Sequence, residues 1–129
     1  ICEDLARQDP VAPVVRALGP NLIVALLLDG GQIKSRWPGR YASFLSEDPG
    51  SSVLTVSPIG MTMRSDGTGF PPSRTVAFWS EPGFHKELEL EKDKEGIILT
   101  LEKSDKKQWT ADGRDMNRLE LKYAGHVCI

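Results

Sequence analysis

The chain has 129 residues, 40% hydrophobic and 26% charged, a length and composition that suit one soluble globular domain over residues 1–129. A formal net charge of -2 provides no long-range attraction to nucleic acid or to an anionic membrane. The two cysteines, Cys2 and Cys128, make no disulfide framework, and no signal peptide is legible at the start. The longest apolar run, Leu22 to Leu28, is too short to cross a bilayer. Because the chain opens without methionine and inside what reads as a working motif, we expect a segment of a larger cytoplasmic protein.

Asp9-Pro10 predicts an N-cap followed by proline in the first turn of a helix. Val11, Val14, Val15 and Leu18 then recur with helical spacing, and Gly19-Pro20 ends the helix. Leu22 to Leu28 is apolar on both faces, which predicts a strand covered on both sides. Asp29-Gly30-Gly31 is a loop, and a second helix is expected over roughly Gln32 to Leu45, with Pro38 able to shift its start. Ser52 to Ser57 reads as the next strand, and Met63 to Ser73, including Gly67-Thr68-Gly69, as an exposed loop.

The remainder is strand-like: Thr75 to Trp79, a Glu81-Pro82-Gly83 turn, Lys86 to Leu90 and Ile97 to Leu101, with alternation again at Leu119, Leu121 and Tyr123. The order therefore predicts parallel βα units followed by antiparallel strands on the same sheet. The charged run Glu87 to Glu95 reads as a solvated strand face and turn.

Chemistry is concentrated near the start. A cysteine is nucleophilic as its thiolate, which a helix N-terminus favours and neighbouring acids oppose. Cys2 has both: helical sequence behind it, and Glu3 and Asp4 beside it. Asp29 ends the first strand, where α/β sheets bind ligands, and it equally suits a loop cap. Trp37 suits either a pocket wall or the core, and Arg40 either a pocket or an ion pair with Glu47 or Asp48. His85 and His126 have no companions at metal-ligand spacing, so no metal is expected. There is no glycine-rich phosphate loop and no Gly-x-Ser-x-Gly elbow, and no cofactor is implied.

From Ile1-Cys2-Glu3-Asp4 onward the chain resembles the C-terminal half of the nitrilase superfamily of carbon–nitrogen hydrolases, whose nucleophile lies in a G-x-x-I-C-x-D context. Leu18-Gly19-Pro20-Asn21-Leu22 is similar to the family's turn into its next strand, and Trp37 with Arg40-Tyr41-Ala42 to its Trp/Arg-Ala helix. Val76 to Gly83 resembles a later hairpin, and the likeness fades beyond Lys103. Ser57 stands where the family has asparagine, and Asp29-Gly30-Gly31 where it more often has Pro-Ser.

The resemblance implies a partial α-β-β-α sandwich and a thiol amidohydrolase acting on a small amide or nitrile through a thioester at Cys2. The Glu3 backbone N–H would be an oxyanion donor, with Asp29, Trp37 and Arg40 in the substrate pocket. It further implies that a base glutamate and a lysine precede the cysteine, supplied by an upstream half of the same protein, and that the protein forms homo-oligomers. This segment alone would then be inactive. Two other readings stand beside it. One is an inactive nitrilase-like accessory domain of a larger protein, of the kind fused to some reverse-transcriptase-like proteins. The other is a binding module whose cysteine is incidental.

Overall fold

In a computed structural model that describes residues 2–64, 69–109 and 111–129, helix α1 spans Val11–Leu18 on the predicted apolar stripe. Gly19 caps it with φ 53, a left-handed conformation that glycine adopts without a Cβ penalty, and its N–H donates to Val15 O at 2.9 Å. Pro13 is harmless because it falls among the first residues, whose N–H groups have no intrahelical acceptor. The cap position, however, is Pro10 rather than Asp9, and it makes no side-chain cap bond. Ahead of it, Cys2–Ala6 already coils into a short 3-10 helix, so the helical entry is made by backbone rather than by an aspartate.

Strand β1, Leu22–Leu26, pairs in parallel with β2, Ser52–Val56, in the register Ile23 to Val53 and Ala25 to Thr55. Strands β3, Thr75–Glu81, and β4, Phe84–Glu89, add antiparallel, giving a mixed sheet in the order β1-β2-β3-β4. The fold is thus α/β, with a parallel βα unit leading into antiparallel strands as expected.

Helix α2 runs Trp37–Glu47, later than predicted at both ends. Pro38 lies in its first turn, where a missing N–H costs nothing, and Arg36 before it is extended at ψ 162. The five residues given to the helix from Gln32 onward instead form a loop pinned by Gln32 N donating to Thr75 O at 2.8 Å. A short helix α3, Ile59–Thr62, went unread in the sequence. In the loop predicted from Met63 to Ser73, residues 65–68, and so Gly67 and Thr68, lie outside the described residues.

One face of the sheet meets the helices. Ala42 and Leu45 of α2 close on Val53 and Phe78, with Leu5, Val15 and Ile23 packed around them. Leu45, Val53 and Phe78 at roughly 1.5–3 kcal/mol each, with less from the Ala42 methyl, supply most of what fixes α2 to the sheet. The opposite face departs from expectation. Leu22, Val24, Leu26 and Leu28 are 37%, 51%, 57% and 69% exposed, so β1 is covered on one side only. An apolar run records that a strand avoids water, but the layer that covers it must come from elsewhere in space.

Part of that face is covered by the last two strands. β5, Ile97–Trp109, and β6, Asp115–Cys128, form a separate two-stranded ribbon rather than extending the sheet. The strand-like segments read at Ile97 to Leu101 and around Leu119 to Tyr123 therefore belong to one long hairpin. The ribbon does not continue the sheet edge, where β4 carries exposed Lys86, Glu87 and Glu89, which suit an edge left to solvent. Instead it crosses over β2 and β3. Ser52 Oγ donates to Leu121 O at 2.6 Å, and Phe84 stacks against Tyr123 with ring centroids 5.5 Å apart. The buried Glu81 carboxylate holds both layers, its Oε2 accepting from Trp79 Nε1 at 2.7 Å and from the Tyr123 N–H at 2.7 Å.

Glu81→Ala leaves a buried indole N–H and a ladder amide unpaired, so it should cost roughly 2–4 kcal/mol of stability. Exposed Glu89→Ala should change stability by less than about 0.5 kcal/mol. Urea unfolding measures both, and amide exchange at Tyr123 reports whether the ribbon has lifted; an unchanged Tyr123 amide in Glu81→Ala would refute the clamp.

Candidate active site

Cys2 adopts φ 51, in the left-handed region that a residue with a Cβ enters at a cost of roughly 1–2 kcal/mol. Such outliers persist where surrounding structure holds them, and they concentrate at sites of function. The half-buried Cys2 stands at a cleft of about 320 Å³ that it lines with Glu3, Ala6, Leu28, Asp29 and Trp37. Three residues singled out in the sequence, 27 and 8 positions apart, therefore share one hollow: Cys2, Asp29 and Trp37. The parallel strand explains the convergence, since its carboxyl end carries Asp29 to the side where the 3-10 helix begins. Glu3 is the second residue of that helix, so its N–H has no intrahelical acceptor. Its side chain is exposed.

Asp29 is held on four bonds. Its N–H donates to Ser57 Oγ at 3.2 Å, while that hydroxyl donates to Asp29 O at 2.6 Å. Its Oδ1 accepts from the Gly30 N–H at 2.7 Å and from Arg36 Nη2 at 2.7 Å. Asp29 Oδ2 is shielded from solvent and has no hydrogen-bond partner among the described residues. Arg36 is only 7% exposed and Asp29 18%, so this is an ion pair largely out of water. The guanidinium also lies 4.6 Å from the Phe70 ring centroid, and a Cβ at Gly30 would collide with it. Asp29 thus caps its loop and lines the cleft at once, so the two sequence readings of it are compatible.

Arg36 and Ser57 were not recognised as site residues in the sequence. The motif pattern drew attention to Arg40 and registered Ser57 only as a departure from asparagine. The one available signal was chemical: a carboxylate at a buried strand end needs a cation, and Arg36 was within chain reach. Arg40 lies outside the cleft. It lines a neighbouring groove, its Nε donating to Ser35 O at 2.9 Å. The pairing considered between Arg40 and Asp48 does not form, because Asp48 is engaged by Arg16 at 3.2 Å. Trp37 walls both hollows and meets Tyr41 edge-on at 6.4 Å.

The cleft offers a thiol, an indole wall and a carboxylate neutralised by arginine; no lysine lines it among the described residues. The thiol therefore has no lysine amine beside it among the described residues that line the cleft. Among the described residues no three His, Cys, Asp or Glu stand together as a metal-binding group. His85 packs on Phe78, and His126 Nδ1 lies 2.6 Å from the Tyr123 hydroxyl. No helix among the described residues is long and apolar enough to cross a membrane.

Removing one member of the buried pair strands the other. Asp29→Ala should destabilise by about 3–5 kcal/mol, whereas Asp29→Leu combined with Arg36→Met should recover most of that loss. Urea unfolding of the set checks the coupling, and additive losses in the double variant would contradict it.

No family model, curated protein or solved structure matches the chain, so its function must be read from the chemistry of this cleft.

Proposed function

We propose that the chain is the nucleophile-bearing segment of a thiol amidohydrolase of nitrilase type, acting on a small non-peptide amide or nitrile. The observation that carries this reading is the left-handed Cys2, placed at a cleft with Asp29 and Trp37. An incidental cysteine needs no strained backbone and no shared hollow. In the proposed reaction the Cys2 thiolate adds to the carbonyl or nitrile carbon, and the Glu3 N–H donates to the oxyanion formed from an amide. Collapse of the amide adduct expels ammonia or an amine, which takes up a proton, and leaves a thioester; a nitrile gives instead a thioimidate, which adds one water before it expels ammonia and reaches the same thioester. Water then cleaves that thioester to the acid and restores the thiol.

The base that moves these protons and the lysine that shares the oxyanion are assigned, on this reading, to residues ahead of Ile1. The open leucine face of β1 supports a further layer from that same upstream half, as the α-β-β-α sandwich requires. A second reading, an inactive accessory or assembly domain, draws on the lack of a lysine in the cleft among the described residues.

The two readings part on turnover. The 129-residue chain by itself should release no ammonia from simple amides. Linked to the residues that precede it, the protein should hydrolyse amides and lose at least about 10³-fold of that activity in Cys2→Ser. Mass spectrometry should find the acyl adduct on Cys2. Hydrolysis that survives Cys2→Ser would eliminate the thiol mechanism, and an upstream-extended protein with no turnover and no adduct would favour the accessory domain.

A further inference from the structure

Beside the cleft lies a larger groove of about 740 Å³, bounded by the 3-10 helix, α1 and α2. Its lining carries three arginines, Arg7, Arg16 and Arg40, and no aspartate or glutamate. The chain as a whole is net negative, so this concentration of cations is local rather than a general property of the surface. Trp37, Tyr41 and Phe44 supply apolar and aromatic surface between the guanidinium groups.

The three arginines differ in how far they are satisfied. Arg7 pairs with Asp4 at 3.4 Å and Arg16 with Asp48 at 3.2 Å, both at exposed positions where a pair contributes little and exchanges readily. Arg16 also lies 4.8 Å from the Phe44 ring centroid, which orients its guanidinium along the groove wall. Among the described residues the Arg40 side chain makes one hydrogen bond, from Nε to Ser35 O at 2.9 Å, and meets no carboxylate. Its terminal nitrogens are therefore free to donate in the forked geometry that matches a carboxylate or phosphate.

We infer that this groove binds a small organic anion, its charged head on Arg40 with Arg16 or Arg7 and its apolar body on the Trp37, Tyr41 and Phe44 surface. The volume is that of a small-molecule pocket, and the excess of positive charge selects an anion over a neutral or cationic ligand. Ala6 and Trp37 line both hollows, so the occupant lies next to the Cys2 cleft. Anion binding in this groove requires no nucleophilic role for Cys2.

The test titrates the chain with phenylacetate and phenyl phosphate, and separately with 2-phenylethanol and phenethylamine, following the indole N–H of Trp37 by NMR. None of these probes carries an electrophile for the thiol to attack, so the outcome is independent of the hydrolase reading. Both anions should bind saturably and more weakly as sodium chloride is raised, while the alcohol and the amine should not bind measurably. Arg40→Gln should weaken anion binding about tenfold, Arg40→Lys by less, and exposed Lys92→Gln not at all. Equal binding of phenylacetate and 2-phenylethanol would overturn the inference, as would affinity indifferent to Arg40→Gln. Binding of an acidic peptide with no response to either small anion would overturn it as well and make the groove a protein-docking surface.

Discussion

Where β1 ends, a carboxylate and a guanidinium go into the interior together, and the loop out of the strand is shaped round them. Asp29 and Arg36 meet at 2.7 Å with little exposure on either side. Removing two charges from water costs several kcal/mol per ion, and the pair repays this only with good geometry and further hydrogen bonds. The loop supplies them: the Gly30 N–H donates to the carboxylate, and the Arg36 Nη1 donates to Gly31 O at 3.5 Å. Glycine at position 30 leaves room for the guanidinium, and Phe70 covers its face. Arg36, held extended, is the N-cap of α2, and Pro38 in the first turn suits a helix start there, which fixes where α2 begins against the sheet.

That constraint reaches the candidate site directly. Asp29 faces a hollow shared with Cys2, and Trp37, adjacent in sequence to Arg36, forms the wall between this hollow and the arginine-lined groove. A site assembled from a 3-10 helix, a strand end and a helix start has no support of its own. Its precision comes from Ser57, which ties β2's end to the backbone of Asp29 through both a donated and an accepted bond.

The sheet shows a different economy on its two faces. Toward the helices it is packed with Val53, Phe78, Ala42 and Leu45. On the other side the β5–β6 ribbon covers the Trp79 end, held there by the buried Glu81 carboxylate together with the Ser52–Leu121 bond and the Phe84–Tyr123 contact, and leaves Leu22, Val24 and Leu26 of β1 open. Apolar side chains standing open in a row like this are uncommon on a solvated surface.

The strands and α1 were legible because period and punctuation alone define them: the Val11, Val14, Val15 and Leu18 stripe, the Gly19 stop, and the runs at Leu22 and Ser52. Cys2, Asp29 and Trp37 were also legible as residue types that chemistry uses. Their shared cleft was not, because proximity across a parallel βα unit is decided by where the chain crosses over, and no residue spacing encodes it. Arg36 escaped notice for the same reason: a loop has no period, so which of several nearby cations enters the interior depends on the void left beside Gly30. The ribbon's position over the sheet, rather than at its edge, likewise followed from where Glu81 could satisfy two buried donors at once. Local pattern determined the elements; the competition to bury charge and satisfy donors decided how they came together.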